Sequence, residues 1–273
     1  MTAHSNKIIS FPTEHSRGAL PLLEYDRTHR INPPTRLWDR IQSGALDFIE
    51  AWLARAAVHG DPPVYDNCSF PWVKDVENGW QKVRAELDQI MVYRDQMPSF
   101  QDIVKEVGAI QTDDKWKTYF LKGVGMDCEE NASRCPETMK LLAKIPNATT
   151  AFFSILAPHK YIPSHRGAWA GILRLHLGLQ VPEPRDQVRI RVANEICLWE
   201  EGKCLIFDDT WNHEVWNDTG GYRVVLFVDF ERPLRKPWSW INHFVMNLAP
   251  LAPFLREAKG KQQSWEKKMW GRK

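Results

Sequence analysis

The chain has 273 residues, of which 43% are hydrophobic and 26% are charged, and its formal net charge is +2 at pH 7. This composition is ordinary for a soluble globular protein, and the near-neutral charge gives no reason to expect a nucleic-acid partner. No run of about 18 consecutive apolar residues is present, so the sequence predicts no membrane span. Thirteen tryptophans are many for this length and indicate aromatic packing or a membrane-interface belt.

Basic residues concentrate at the C-terminus. Residues 233–273 hold nine Lys or Arg and two Glu, a net charge of +7, which leaves −5 for the remainder. Such a tail suits an anionic surface, although a charge run is more often a solvated face. Five cysteines and no apolar leader after Met1 predict a reduced, cytoplasmic protein, with peripheral contact at the inner face of the membrane as an alternative.

Three parts follow one another along the chain. Residues 1–34 carry four prolines and no sustained hydrophobic period, which predicts an irregular arm. Residues 35–232 are expected to form a single domain, with helical support over 35–149 and a β core over 150–232. Residues 233–273 form a basic amphipathic tail, which would either lie on a membrane surface or pack on the domain as a helix ended by Pro250 and Pro253.

The first half of the domain contains helix signals and one strand signal. Apolar residues from Leu37 to Leu53 recur at roughly helical spacing. A second helix is expected to start from an N-cap at Asp75. Its buried stripe would comprise Val76, Trp80, Val83, Leu87 and Ile90. Alternation predicts a strand over 116–121, and Pro136 fits the first turn of a helix that reaches Ile145.

From Thr150 to Phe230 short apolar runs alternate with turn signals, which is typical of a β-sandwich or barrel. Four leucines share one face of the strand from Leu173 to Leu179, so Arg174 and His176 must share the opposite face. The turn at 217–221 predicts a hairpin that would bring His213 close to Arg223.

Two histidines are candidates for metal ligands. His165 and His213 lie at the ends of predicted strands, and neutral imidazole binds divalent metals. The usual facial triad for non-haem Fe(II) has a carboxylate two residues after the first histidine, where this chain has Gly167. An additional coordination position is therefore left for water or another anion.

Arg223 is a candidate for binding a carboxylate, because its guanidinium fork matches that group. A dicarboxylate such as 2-oxoglutarate would chelate iron at one end and reach Arg223 with the other, while Arg174 and His176 would hold the near carboxylate. The alternative for Arg223 is a structural ion pair with Asp229 or Asp218.

The letters around these residues are more specific than their spacing. The runs 199–203, 205–209 and 213–216 resemble the aspartyl/asparaginyl β-hydroxylase family of Fe(II)- and 2-oxoglutarate-dependent oxygenases. The resemblance is strong from about Phe152 to Pro233 and weaker back to about Trp80. It implies a mainly β protein with a helical N-terminal part, built on a double-stranded β-helix, which is a cupin-like jelly roll.

The resemblance also implies a set of site residues. His165 and His213 would bind Fe(II), and Arg223 with Ser154 would hold the distal carboxylate of 2-oxoglutarate. Arg174 and His176 would contact the iron-proximal end of that cosubstrate.

Several neighbouring residues are open to more than one interpretation. The family's peptide-modifying members also have Gly at the position of Gly167, so this residue does not argue against activity. Asp208 and Asp209 are interpreted as residues that fix a histidine tautomer or a loop rather than as a replacement ligand. In a cytoplasmic protein Cys128 and Cys135 are more consistent with two thiols than with the disulfide that secreted relatives can form.

The substrate is less well indicated. The runs 116–122 and 237–240 are similar to the bacterial lipid A 2-hydroxylase branch, although that branch is membrane-anchored and can carry His-x-Asp. The resemblance therefore predicts hydroxylation of an unactivated C–H bond, in a lipid acyl chain or in peptidyl Asp or Asn, with O2 consumed and succinate and CO2 released. The alternatives are a 2-oxoglutarate-dependent halogenase, for which Gly167 would leave room for chloride, and a jelly-roll binding protein without catalysis.

Overall fold

The computed structural model describes residues 48–126 and 128–271. The arm predicted over 1–34 and the start of the first helix lie outside the described residues. The described part of the first helix, α1, covers 48–56. The other α-helices are α2 (Val73–Asn78), α3 (Trp80–Met91), α4 (Phe100–Ile103), α5 (Glu129–Ser133), α6 (Pro136–Leu142), α7 (Trp238–Leu248) and α8 (Pro253–Trp270).

Ten strands are described. They are β1 (Val64–Tyr65), β2 (Trp116–Lys122), β3 (Ala148–Leu156), β4 (Lys160–His165), β5 (Ile172–Gln180), β6 (Val188–Val192), β7 (Glu195–Leu198), β8 (Cys204–Phe207), β9 (His213–Asn217) and β10 (Arg223–Glu231). They form a six-stranded sheet in the order β1-β8-β5-β10-β3-β2 and a four-stranded sheet in the order β4-β9-β6-β7.

The two sheets face each other as a double-stranded β-helix, and the fold class predicted from the sequence is confirmed. One hydrophobic core fills the space between the sheets and includes Phe152, Phe207 and Ile190. A second core lies on the other face of the large sheet, where α2, α3 and α6 cover the leucines of β5. The site therefore lies inside the barrel, and the helices support it from behind.

Strand β5 follows the alternation predicted from its sequence. Its four leucines are fully buried in the helix-covered core. Arg174 and His176 point to the other face, where they lie beside Asp229 and Phe227 of β10 in register. Gly178 lies on the same inner face. A side chain is excluded there because a Cβ would lie 2.2 Å from the carbonyl oxygen of Glu200.

The helix expected from an Asp75 cap is two helices in the structure, and Asp75 lies within the first turn of α2 rather than at its cap. The break falls at Gly79, which packs closely against α6: a Cβ there would lie 2.6 Å from Leu141 Cδ1. The predicted stripe holds, since Val76, Val83, Leu87 and Ile90 are buried and Trp80 packs against the same core.

The hairpin predicted at 217–221 is wrong. Strand β9 pairs with β4 and β6 in the small sheet, whereas β10 pairs with β3 and β5 in the large sheet. The turn thus crosses from one sheet to the other. Asn217 holds it together by donating to the carbonyl oxygens of Ala157 (2.9 Å) and Gly221 (2.8 Å).

The tail also differs from the single helix that Pro250 and Pro253 were expected to end. A short 3-10 turn, Ala249–Leu251, separates α7 from α8, and Pro253 occupies the first turn of α8, where a proline needs no hydrogen-bond partner. Among the described helices, none is both long and apolar enough to cross a membrane.

Candidate active site

The two predicted metal ligands come together at neighbouring strand ends. His165 is the last residue of β4 and His213 is the first of β9, and the two residues are paired directly in register. Their ring centroids are 4.2 Å apart. The antiparallel pairing of β4 and β9 therefore brings together two residues that lie far apart in the sequence.

Both imidazoles are held in one tautomer by backbone carbonyl groups. His165 Nδ1 lies 2.8 Å from the carbonyl oxygen of Pro163, and His213 Nδ1 lies 2.9 Å from that of Trp211. A carbonyl can only accept, so each Nδ1 carries the proton and each Nε2 keeps its lone pair. Burial lowers the pKa of His165 to about 4 and that of His213 well below its usual value, which keeps both rings neutral. Two neutral imidazoles fit a divalent metal ion.

The space beside Gly167 is filled by Asp209. A Cβ at Gly167 would lie 2.3 Å from Asp209 Cγ and 2.1 Å from its Oδ2. The Gly167 N–H also donates to the Asp209 carbonyl oxygen at 2.7 Å. The position that lacks a carboxylate in sequence thus has one beside it in space. The described residues contain no cluster of three His, Cys, Asp or Glu side chains arranged to hold a metal.

Asp209 is linked to the barrel interior through Arg174. Arg174 Nη2 lies 2.7 Å from Asp209 Oδ2, and Arg174 Nε donates to Asp229 Oδ1 at 2.8 Å. The guanidinium also lies over the Phe227 ring at 4.2 Å. Burial raises the pKa of Asp209 to about 7, and Arg174 opposes this rise. Arg174 therefore holds two carboxylates in place, while its predicted contact with 2-oxoglutarate stays a prediction.

Asp208 has a different part in the same loop. Its Oδ1 accepts from Thr210 N at 2.9 Å and from Thr210 Oγ1 at 2.6 Å, which shapes the turn before His213. Its Oδ2 accepts from Arg232 Nη1 at 2.9 Å, and Arg232 is also paired with Asp61. Of the two roles predicted for this residue, Asp208 has the one of fixing a loop. The histidine tautomers are fixed by backbone carbonyls instead.

Arg223 is the most unusual charge in the site. It is only 2% exposed, and its Nε and Nη1 have no hydrogen-bond partner among the described residues. Asp229 and Asp218, its predicted alternative partners, pair with Arg174 and Arg189 instead. Its guanidinium lies 4.5 Å from the centre of the Trp199 ring, and burial lowers its pKa to about 9. A buried cation with unused donors fits an anionic ligand.

His176 lies beside Arg223 on the inner face. Its ring is 5.1 Å from the rings of Phe207 and Phe227, and neither ring nitrogen has a hydrogen-bond partner among the described residues. Burial, followed by the charge of Arg223, holds the pKa of His176 well below its usual value. The imidazole is therefore neutral and has hydrogen-bonding capacity available for a ligand.

Ser154 lies on the same inner face. Arg223 is in register with Leu156 of β3, and Ser154 is two residues before Leu156, so the side chains of Ser154 and Arg223 point to the same side of the sheet. Its hydroxyl accepts from Trp116 Nε1 at 2.9 Å. All six predicted site residues thus face the barrel interior or lie at its rim.

Three further residues belong to this region and were not predicted from the sequence. Trp199 packs on Arg223, and Trp116 orients Ser154. Arg166 follows His165 directly and pairs with Glu50 of α1 at 2.7 Å, with both side chains mostly buried. The position of Arg166 between His165 and Gly167 could have indicated that it belongs to the site. No local sequence pattern indicates that Glu50 is its partner.

Comparison with known proteins identifies relatives of this chain. Residues 77–233 match the family model described as Aspartyl/Asparaginyl beta-hydroxylase. The ornithine lipid ester-linked acyl 2-hydroxylase of Rhizobium tropici is 50% identical over 211 residues, which are 77% of this chain and 75% of that protein. The aspartyl/asparaginyl beta-hydroxylase of Homo sapiens is 33% identical over 170 residues, which are 60% of this chain and only 22% of that protein. Among solved structures, a Pseudomonas putida prolyl-4-hydroxylase is 15% identical, with a TM-score of 0.40 over 56% of this chain and 87% of that one.

Proposed function

The chain belongs to the aspartyl/asparaginyl β-hydroxylase family, and on that premise we propose that it is an Fe(II)- and 2-oxoglutarate-dependent hydroxylase whose substrate is the acyl chain of a membrane lipid. The observation that carries the proposal is the buried guanidinium of Arg223, whose Nε and Nη1 find no hydrogen-bond partner among the described residues, inside the same barrel that holds two neutral, tautomer-fixed histidines.

The metal would be held by Nε2 of His165 and of His213, the two lone pairs that the backbone carbonyls leave available. Bound Fe(II) supplies O2 activation, in which one oxygen atom enters the C–H bond and the other enters succinate as 2-oxoglutarate loses CO2. The contribution of the protein is the fixed orientation of both rings, which reduces the reorganisation needed on metal binding.

The remote carboxylate of 2-oxoglutarate would bind Arg223, whose donors lie in a site that excludes water. Ser154 would add a hydroxyl to the same carboxylate, and His176 would donate to the end nearer the metal. Trp199, Phe207 and Phe227 surround this region, so an ion pair formed there is screened little by solvent.

A lipid acyl chain is the substrate class that the relatives favour. The Rhizobium tropici relative is named for hydroxylation of an ester-linked acyl group and matches this chain over three quarters of its own length. The human relative is named for aspartyl and asparaginyl residues, but only 22% of its length is matched. A lipid substrate would require peripheral contact with a membrane, which we include in the proposal together with a place on its inner face.

Turnover with a lipid extract tests the proposal. Purified protein with Fe(II), 2-oxoglutarate and O2 should release succinate and add the mass of one oxygen atom to a lipid in the extract. A peptide panel containing Asp and Asn serves as the competing substrate class. Absence of both 2-oxoglutarate binding and succinate release would refute the proposal. Oxygen incorporation into peptides alone would show that the substrate is a peptide rather than a lipid.

The two rival functions give different outcomes in the same assay. A halogenase would add chlorine at saturating chloride, but the Asp209 carboxylate beside Gly167 is unfavourable for a second anion there. A protein that only binds would take up 2-oxoglutarate without releasing succinate. An oxygenated product formed at high chloride excludes both.

A further inference from the structure

We propose that α1 and α7 together form a docking surface for an anionic lipid bilayer, next to the loop that carries the metal ligand His165. We call this surface the α1–α7 face. It consists of the exposed apolar residues Phe48, Ile49, Trp52, Trp240, Ile241, Phe244 and Leu248. The inference rests on the proposed lipid substrate and specifies how the chain would reach it.

Helix α7 differs from an ordinary surface helix, which buries apolar residues and exposes polar ones. Its one buried residue is polar: Asn242 accepts from Trp169 Nε1 at 2.9 Å and donates to the carbonyl oxygen of Gly171 at 2.8 Å. Four of its large apolar residues are exposed, among them Trp240 (64%) and Phe244 (62%), whereas Trp238 packs against Trp52. Trp240, Phe244 and Leu248 follow one another at four-residue spacing, so they share one stripe of the helix.

Helix α1 contacts the start of α7 and adds the exposed apolar residues Phe48, Ile49 and Trp52 to the surface. The rings of Trp52 and Trp238 stack with centroids 5.6 Å apart, and Phe48 lies edge-on to Trp52 at 6.1 Å. Exposed apolar residues grouped on two neighbouring helices mark an interaction site, because single exposed residues are common but clusters are not. Tryptophan is enriched at membrane–water interfaces, where its ring is apolar and its N–H remains hydrated.

The charges around this surface select the partner. No Asp or Glu occurs between Pro233 and Arg256, whereas Arg235 and Lys236 are exposed at the start of α7. Lys236 Nζ lies 5.0 Å from the centre of the Trp240 ring, and the guanidinium of Arg55 lies 5.6 Å from the Trp52 ring. An anionic bilayer complements both the apolar residues and the cations, whereas a second copy of the chain would bring like charges together.

This surface is tied directly to the active-site rim. The loop from Arg166 to Gly171 follows His165, and each helix of the face holds one end of it. Arg166 pairs with Glu50 of α1, while Trp169 and Gly171 bond to Asn242 of α7. A bilayer bound to the α1–α7 face would therefore be separated from the loop that follows His165 only by the two helices that hold this loop.

Vesicle co-sedimentation of the full-length chain tests the docking surface without any turnover. Vesicles of phosphatidylcholine containing phosphatidylglycerol should bind the protein, vesicles of phosphatidylcholine alone should bind it more weakly, and added salt should reduce the difference. The double variant Trp240→Ser/Phe244→Ser should lower the partition coefficient at least about tenfold, since two aromatic side chains no longer leave water. Val92→Ser, which changes a 75% exposed apolar residue outside the face, is the matched control and should bind like the parent.

Three results would overturn the docking surface: no binding to anionic vesicles, equal binding by the double variant, or a solution dimer that the double variant abolishes. The last would identify a second copy as the occupant. Binding of 2-oxoglutarate, followed as a rise in Tm, should be the same in the double variant and the parent. If the parent protein does not bind 2-oxoglutarate, the proposed function is refuted. If it binds 2-oxoglutarate but does not bind anionic vesicles, only the proposed docking surface is refuted.

Discussion

The carboxylate of Asp209 lies where a side chain at Gly167 would begin: a Cβ there would be 2.3 Å from Asp209 Cγ. Asp209 cannot simply swing away, because it is buried and Arg174 holds it at 2.7 Å. Glycine at 167 is therefore a packing requirement of this site, and the acidic group near the proposed metal ligands comes from the loop before β9 rather than from the residue two positions after His165.

Substitution of Gly167 by Ala should reduce stability and activity together. The added methyl group overlaps a carboxylate that is fixed by an ion pair, so we expect a loss of about 1–3 kcal/mol in the free energy of unfolding. Succinate release should fall because Asp209 or the loop after His165 must shift. Urea denaturation and the turnover assay measure the two effects, and Gly220→Ala, where a Cβ meets nothing within 4 Å, is the matched control.

The double variant Gly167→Ala/Asp209→Ala tests whether the overlap is the cause. Removing the Asp209 carboxylate makes room for the new methyl group, so the two stability losses should be less than additive. Full additivity would show that the cost at Gly167 arises elsewhere.

Arg223 and Arg232 are both buried arginines, but their replacement by Met should change the free energy of unfolding to very different extents. Arg223 has unused donors, so Arg223→Met should leave the free energy of unfolding of the ligand-free protein nearly unchanged. It should weaken 2-oxoglutarate binding about 100-fold, because a charge-assisted pair in a dry site is lost. Isothermal titration and the Tm rise with 2-oxoglutarate measure the affinity.

Arg232→Met is the comparison variant. Arg232 pairs with Asp208, which is fully buried, and with Asp61, which is partly exposed, so its loss removes the cation beside a buried carboxylate and should cost about 3–5 kcal/mol. Were Arg223→Met as destabilised as Arg232→Met, with unchanged 2-oxoglutarate affinity, Arg223 would be a structural residue rather than the proposed anchor.

Local periodicity was sufficient to predict much of this fold. The leucine alternation of β5 correctly placed Arg174 and His176 on the inner face, since a strand allows only two orientations. The turn at 217–221 misled because turn residues report a reversal of the chain but not which sheet the next strand joins. Here β9 belongs to the small sheet and β10 to the large sheet, so His213 and Arg223 lie in different sheets.

The parts of the site that the sequence did not predict are tertiary contacts between distant segments. Nothing near Gly167 indicates that Asp209 fills the space beside it, and nothing near Arg166 indicates Glu50 as its partner. The amphipathic character of the tail was visible in the sequence. Only the structure, with polar Asn242 buried, indicates that the apolar side of α7 faces outward.

The buried histidines should contribute a loss of stability to the metal-free protein as the pH falls through the range in which ordinary histidines gain a proton. Burial lowers the pKa of His165 to about 4 from 6.5 and shifts His213 in the same direction, so the folded state requires neutral rings. The stabilisation is complete above about pH 6.5 and is lost as the pH falls towards 4, amounting to about 3 kcal/mol for His165 alone. Burial raises the pKa of Asp209 to about 7, which acts in the opposite direction over the same range, so the His165 contribution is measured as the difference in the free energy of unfolding in urea between the parent and a His165 variant at several pH values.

Two histidine variants isolate that contribution. His165→Gln should remove the His165 contribution, so that its free energy of unfolding rises relative to that of the parent as the pH falls from about 6.5 to about 4. His243→Gln changes an exposed histidine and should leave the slope as it is. Identical slopes in the parent and in His165→Gln would contradict a buried, neutral His165.

The ion pair between Glu50 and Arg166 should anchor the loop that follows His165. Both side chains are largely buried and lie 2.7 Å apart, so Glu50→Ala leaves a buried guanidinium without its carboxylate. We expect a loss of about 3 kcal/mol or more in the free energy of unfolding, together with weaker Fe(II) binding because the backbone next to the ligand is less restrained. Urea denaturation and Fe(II) titration measure both.

Removing both charges should cost less than removing one. In Glu50→Ala/Arg166→Met no unpaired buried charge remains, so most of the lost stability should return, while Fe(II) affinity should stay reduced because the link between α1 and the loop is absent. Glu137→Ala, which breaks the exposed pair with Lys82, is the matched control and should change stability by less than about 1 kcal/mol. Equal losses for the exposed and the buried pair would show that Glu50 does not hold the loop, and would also remove the mechanical link between the active-site rim and the α1–α7 face.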